Sequence, residues 1–256
     1  MLLIASLIAC NPDEDREPNI CEVTRAPDTY VYPIVPGMQE WADLGTTEAR
    51  FAACQIPSER LKVISSAGLV DSWREFPFAM DLFFAHDFQA GIDFFSENFS
   101  GLQELSRRQD AGVALMMTYE NMKPACVVGY KDELEKGAFT LDFVPVELLL
   151  AQGFVLDKLT LSEKKALLSE ALSKYRGKRK YHEEFGMVTG TAMSLFVIAR
   201  ILEDSDYLPF MEELGTEEPS IMTLFLDTGV LYLTDPEAGE IINLVMHAED
   251  FLEKRQ

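Results

Sequence analysis

Carboxylate chemistry has one sharply placed candidate in this chain: Asp227, in the run Leu224-Phe225-Leu226-Asp227-Thr228-Gly229. A carboxylate works as an acid at neutral pH only where burial, or a second carboxylate at close range, keeps a proton on it. Imidazole chemistry would have to come from His86, His182 or His247, which are far apart in sequence. His182-Glu183-Glu184 lacks the second histidine, four residues after the first, that a zinc-protease helix needs. Gly177-Lys178 has no glycine five residues earlier and cannot be a phosphate-cradling loop. The four cysteines, Cys10, Cys21, Cys54 and Cys126, contain no C-x-x-C pair, so neither a structural metal nor a cofactor is expected. A bridge such as Cys54 to Cys126 is open in an oxidising compartment, and so is a reading of both as small buried apolar side chains. The acidic pairs Glu203-Asp204, Glu212-Glu213 and Glu217-Glu218 lack the spaced ligands and central glycine of a calcium loop and read as solvated.

The Asp227 run resembles the Asp-Thr-Gly of aspartic proteases. That resemblance implies a β-rich scaffold and a second aspartate, which only another copy of the chain could supply here. The competing reading is a helix closed by Gly229 in the left-handed conformation, with Asp227 on the surface. A second distinctive feature is the basic cluster Lys174, Arg176, Lys178, Arg179 and Lys180 in an acidic chain. It is either a candidate anion-binding patch or a set of cations complementing the C-terminal end of a helix macrodipole.

The elements that would carry these residues are helical. Phe88, Ile92, Phe95 and Phe99 recur at helical spacing between Asp87 and Ser100-Gly101, which predicts a core-facing stripe rather than an aromatic cofactor box. Thr160 and Glu163 form a capping box, opening a helix with Leu161, Leu168, Leu172 and Tyr175 on one face. Residues 187–202 are apolar on nearly every side and predict a buried central helix, too short to span a membrane. Asp235-Pro236-Glu237 predicts the start of a last helix carrying Ile241, Leu244, Val245, Ala248, Phe251 and Leu252. Residues 30–35, 126–130 and 230–233 are short strand candidates, too few to build a sheet. The expected fold is all-α, an irregular array of short helices in one globular domain over residues 38–256, with at most one or two strands. Two lobes divided near residues 123–140, or an α-solenoid-like repeat, are the alternatives.

With 256 residues, 48% of them hydrophobic and 25% charged, the chain can build a core of its own. Its net charge of -21, from 43 acidic and 22 basic residues, repels phosphate backbones, so nucleic acid is not an expected partner. Residues 1–9 are uncharged and almost wholly apolar. As a helix they would extend about 14 Å against a hydrocarbon core of about 30 Å, which fits the apolar part of a signal peptide and not a spanning anchor. The next residues, 10–37, carry Pro12, Pro18, Pro27, Pro33 and Pro36 among many acidic side chains and read as an extended tether.

Leu7-Ile8-Ala9-Cys10 resembles the bacterial lipobox, which implies a lipid on Cys10. Two or three acyl chains there would hold the protein stably in a membrane. Asn11 and the acidic residues after it resemble the export signal of Bacteroidetes surface lipoproteins. The runs Cys54-Gln55-Ile56-Pro57, Ser66-Ala67-Gly68-Leu69-Val70, Phe76-Pro77, Gln89-Ala90-Gly91 and Gly101-Leu102-Gln103-Glu104-Leu105, with Arg108 and Asp110-Ala111, are similar to an uncharacterised Bacteroidetes lipoprotein family. That resemblance implies no activity and no site. The expected function is therefore that of an exported, lipid-anchored envelope protein in the outer membrane, on its periplasmic face or at the cell surface. It would present a helical domain to a protein, peptide or glycan partner without catalysis. A hydrolase acting through Asp227 and a structural spacer are the alternatives.

Overall fold

The computed structural model describes residue 21 and residues 25–214, 220–233, 235 and 238–254, with the backbone alone at Val188. The leader 1–9, Cys10 and the early tether lie outside the described residues, as do Pro236, Glu237 and the Glu217-Glu218 pair. Among the described residues the architecture is all-α, with no strand, and the buried side chains form one continuous core.

Helix starts follow side-chain caps. Thr160 accepts from the Glu163 amide while the Glu163 carboxylate accepts from the Thr160 amide, closing the capping box of the Leu161–Arg179 helix. Ser65, Asp87, Asp132 and Ser220 cap the helices Ser66–Arg74, Phe88–Asn98, Glu133–Leu141 and Ile221–Thr228 in the simpler way. The last of these ends at Gly229, which takes the left-handed conformation (φ 71°) and returns its amide to the Phe225 carbonyl.

The centre is the Ala192–Asp204 helix, buried along most of its length and packed against helices 161–179, Phe143–Leu150 and Gly239–Glu253. Its sequence predicted one helix over 187–202; instead a π-helical turn, Gly186–Thr191, precedes it. The last helix buries Ile241, Leu244, Ala248 and Phe251, with Ala238 at its N-cap, three residues after the expected Asp235. In the N-terminal half, Ile92, Phe95 and Phe99 are buried, Phe95 against Trp73 and Phe99 stacked on Phe76, and the Trp73 indole donates to the Pro145 carbonyl at 3.1 Å.

The three strand candidates are not strands. Around Tyr30 the polar groups go to a helix: the Tyr30 amide donates to Ser72 Oγ at 2.9 Å and the Tyr32 hydroxyl to the Ser72 carbonyl at 2.8 Å. Pro124 opens a 3-10 helix, Pro124–Gly129, where 126–130 was expected to extend. Residues 230–233 are irregular, with no strand to pair with among the described residues. The proline-rich segment is non-helical over 25–36 and lies on the helical body. The Ala26 amide reaches Asp71 Oδ2 at 2.8 Å, and Asp28 accepts from both the amide and hydroxyl of Ser65.

A disulfide joins Cys21 to Cys126, with Cα atoms 5.4 Å apart. The alternative pairing of Cys126 with Cys54 is therefore not formed. Cys54 is a buried free thiol, and burial pushes its pKa up to about 11.

Candidate functional site

Two places concentrate features that could matter for function. The first is a polar cluster inside the core. All eight residues of helix 143–150 are buried, including its one charged residue, Glu147. A carboxylate there needs partners, since an unpaired charge in a dry interior is very costly. Lys178 Nζ lies 2.7 and 2.6 Å from the two Glu147 oxygens, and the Tyr119 hydroxyl and Ser194 Oγ donate to Oε1 at 2.6 and 2.7 Å. The ammonium also donates to the Gly190 carbonyl at 2.8 Å and sits 4.7 Å from the centre of the Phe143 ring. That carbonyl belongs to the π-helical turn, where a Cβ at Gly190 would stand 2.3 Å from the Phe185 carbonyl oxygen, so only glycine fits.

Lys174, one turn before Lys178, is likewise buried. It pairs with Glu170, its ammonium 5.1 Å from the centre of the Tyr119 ring. Burial draws Lys178 below the usual lysine range against the pull of Glu147. Burial and the Glu147 charge hold the Tyr119 phenol well above its own, which keeps it a neutral donor. Serine, lysine, tyrosine and glutamate within hydrogen-bond reach could in principle run acyl transfer or proton transfer. Here all four are shut from solvent and already spend their polar atoms on one another.

The second place is open and apolar. A groove of about 910 Å³ lies between helix Thr47–Ala53, the 3-10 helix Ala79–Phe84 and helix 88–98, floored by Phe51, Phe78 and Phe95. Phe84 is 86% exposed and Phe94 51% exposed. The local geometry explains both. In the 3-10 turn Leu82 anchors in the core, which leaves Phe84 at the outer end. On helix 88–98 the stripe Ile92, Phe95 and Phe99 faces inward; Phe94, about 100° round from Phe95, comes to the groove with its ring 5.4 Å from that of Phe95 and 6.0 Å from that of Phe51. The ionisable side chains lining the groove are Glu48, Asp81 and His86. Partial burial raises the Asp81 pKa. The His86 ring is turned to its neighbour Asp87, with Nδ1 3.1 Å from Oδ2.

The sequence candidates disperse. Asp227 is exposed in the last turn of its helix, ahead of the left-handed Gly229, and His182 is exposed on the short helix His182–Phe185. His247 packs by Tyr207 and Phe210, its Nε2 2.7 Å from Glu213 Oε2. The basic cluster does not share a face: Lys174 and Lys178 point into the core, Arg176 pairs with Glu249, the Arg179 guanidinium lies 5.9 Å from the Tyr175 ring centre, and Lys180 is exposed. Among the described residues no group of three or more His, Cys, Asp or Glu side chains could hold a metal ion, and no helix is long and apolar enough to cross a membrane.

Glu147 and the pair Phe84 and Phe94 were not singled out from sequence. A lone glutamate inside an apolar run was the available signal for the first. For Phe94 it was a large ring standing off the stripe its helix buries. Comparison with protein-family models, curated proteins and solved structures finds no match to this chain.

Proposed function

We propose that this chain is a lipid-anchored envelope protein that works by binding a partner in the aromatic groove. The observation that carries this reading is the exposure of Phe84 and Phe94 on a concavity of about 910 Å³ that is mostly apolar. Exposed rings clustered around a concavity are what a recognition surface requires, because a partner removes their apolar area from water. The lining brings together no nucleophile and base within hydrogen-bond reach, which favours binding over catalysis. A hydrolase reading would need Asp227 paired and sheltered, and it is solitary and exposed. A spacer would have no use for the exposed rings.

The envelope address rests on the lipobox resemblance at Cys10. It gains support from the Cys21–Cys126 disulfide, since such bonds persist in oxidising compartments outside the cytoplasm. The tests are separate. Mass spectrometry of the native protein should find a diacylated or triacylated cysteine at position 10, and an unmodified thiol there would remove the anchor. For the groove, ligands enriched by the natural protein from a displayed peptide library and from a glycan array should lose affinity for the Phe84→Ser, Phe94→Ser double variant. Enriched ligands that bind that variant equally well would place recognition elsewhere.

A further inference from the structure

We infer that the groove takes a peptide segment in which an apolar side chain is flanked by lysine or arginine. This rests on the groove being the binding site and adds the chemistry of its occupant. The groove is lined by Glu48 and Asp81 on two separate elements, and by no lysine or arginine. Among the described residues neither carboxylate has a side-chain hydrogen bond or an ion pair.

Several carboxylates elsewhere on the protein do meet a cation. Asp71 and Asp142 share Arg74, Glu104 meets Arg108 and Asp204 meets Lys164. Glu48 and Asp81 are exposed at the groove and meet none among the described residues, and what burial Asp81 does have already penalises its charge. A cation on the occupant would make good the missing partner. The exposed face of Phe84 can receive the same group, because a ring face attracts ammonium and guanidinium ions.

Other occupants fit less well. A phosphorylated or acidic ligand would meet like charge at Glu48 and Asp81 within a protein of net charge -21. A glycan could hydrogen-bond to Thr47, Gln55, Asn98 and the two carboxylates, but a neutral sugar would leave both carboxylate charges without a counterion. A peptide supplies both an apolar anchor for the floor and basic side chains for the rim, as in other groove-binding segments.

The test is fluorescence anisotropy of the full chain with three labelled pentapeptides sharing a Phe-Leu-Phe centre, flanked on both sides by lysine, glutamine or glutamate. The lysine peptide should bind about tenfold tighter than the glutamine peptide, the glutamate peptide should be weakest, and added salt should narrow the spread. The Glu48→Gln, Asp81→Asn double variant should bring the lysine peptide down to the glutamine level and leave the glutamine peptide unchanged. If all three bind alike to the natural protein, and all are lost with Phe84→Ser and Phe94→Ser, the cationic preference is wrong while the groove stands. If no peptide binds in a manner that depends on Phe84 and Phe94, both readings fall together. Unchanged circular dichroism of the variants guards against unfolding, which these exposed positions should not provoke.

Discussion

The Glu147 cluster and the Phe84 groove invert what their side chains suggest. The cluster contains the residues of a catalytic inventory, a serine, a lysine, a tyrosine and a glutamate, and it is sealed and satisfied. The groove is built from phenylalanines that could have served any core, and it is open. Access separates the two, together with whether polar and apolar groups have already found partners inside the chain. A network whose donors and acceptors are all matched internally has nothing left to offer a substrate. Rings left in water retain free energy that a ligand can release.

If that contrast is right, the two regions respond to mutation in opposite ways. The largest effect should come from Lys178→Met, which leaves the Glu147 charge buried without its counterion; destabilisation of about 3–5 kcal/mol is expected in urea unfolding. A loss under about 1 kcal/mol would mean the cluster is wetter than its burial implies. Adding Glu147→Gln to that variant should recover at least half of the loss, because the amide oxygen still accepts from Tyr119 and Ser194 and no net charge is left in the core. Ser194→Ala removes one of several donors to Glu147 and should cost about 0.5–1.5 kcal/mol by the same measurement. Phe84→Ser should change stability least, by no more than about 0.5 kcal/mol, while abolishing groove binding. A large destabilisation there would turn the groove into part of the core and erase the comparison.

What was legible in the sequence was local. The Thr160 and Glu163 capping box, the Phe88 to Phe99 stripe and the left-handed Gly229 each depend on neighbours within one or two turns. The all-α architecture followed from such pieces. What was not legible depended on residues distant in sequence. The basic cluster reads as an anion-binding patch or as a helix end complementing its dipole, yet the stripe of Leu168, Leu172 and Tyr175 runs on into Lys174 and Lys178, so the face that buries leucines also buries those lysines. Lys178 meets Glu147, 31 residues away, while Lys174 pairs with Glu170 one turn back. The π-helical turn at the start of the central helix was not legible either, and its Gly190 carbonyl accepts from the distant Lys178. The groove was hidden because exposure, not residue type, separates Phe94 from Phe95.

The disulfide has a mechanical consequence. The segment 25–36 is held to helix 66–74 and its C-cap by single hydrogen bonds, the Arg25–Glu75 ion pair and the buried Tyr32 ring, contacts that a pull along the chain from the N-terminal side would load one after another. The bridge at Cys21 intercepts that load before it reaches them and passes it to Cys126, at the start of a short helix wedged against helices 161–179 and 133–141. Tension is then carried by a covalent bond into the middle of the body, and the strap is left slack. A reducing agent would reverse the order of failure, making residues 25–36 the first part to peel under a pulling force that the oxidised protein bears without movement.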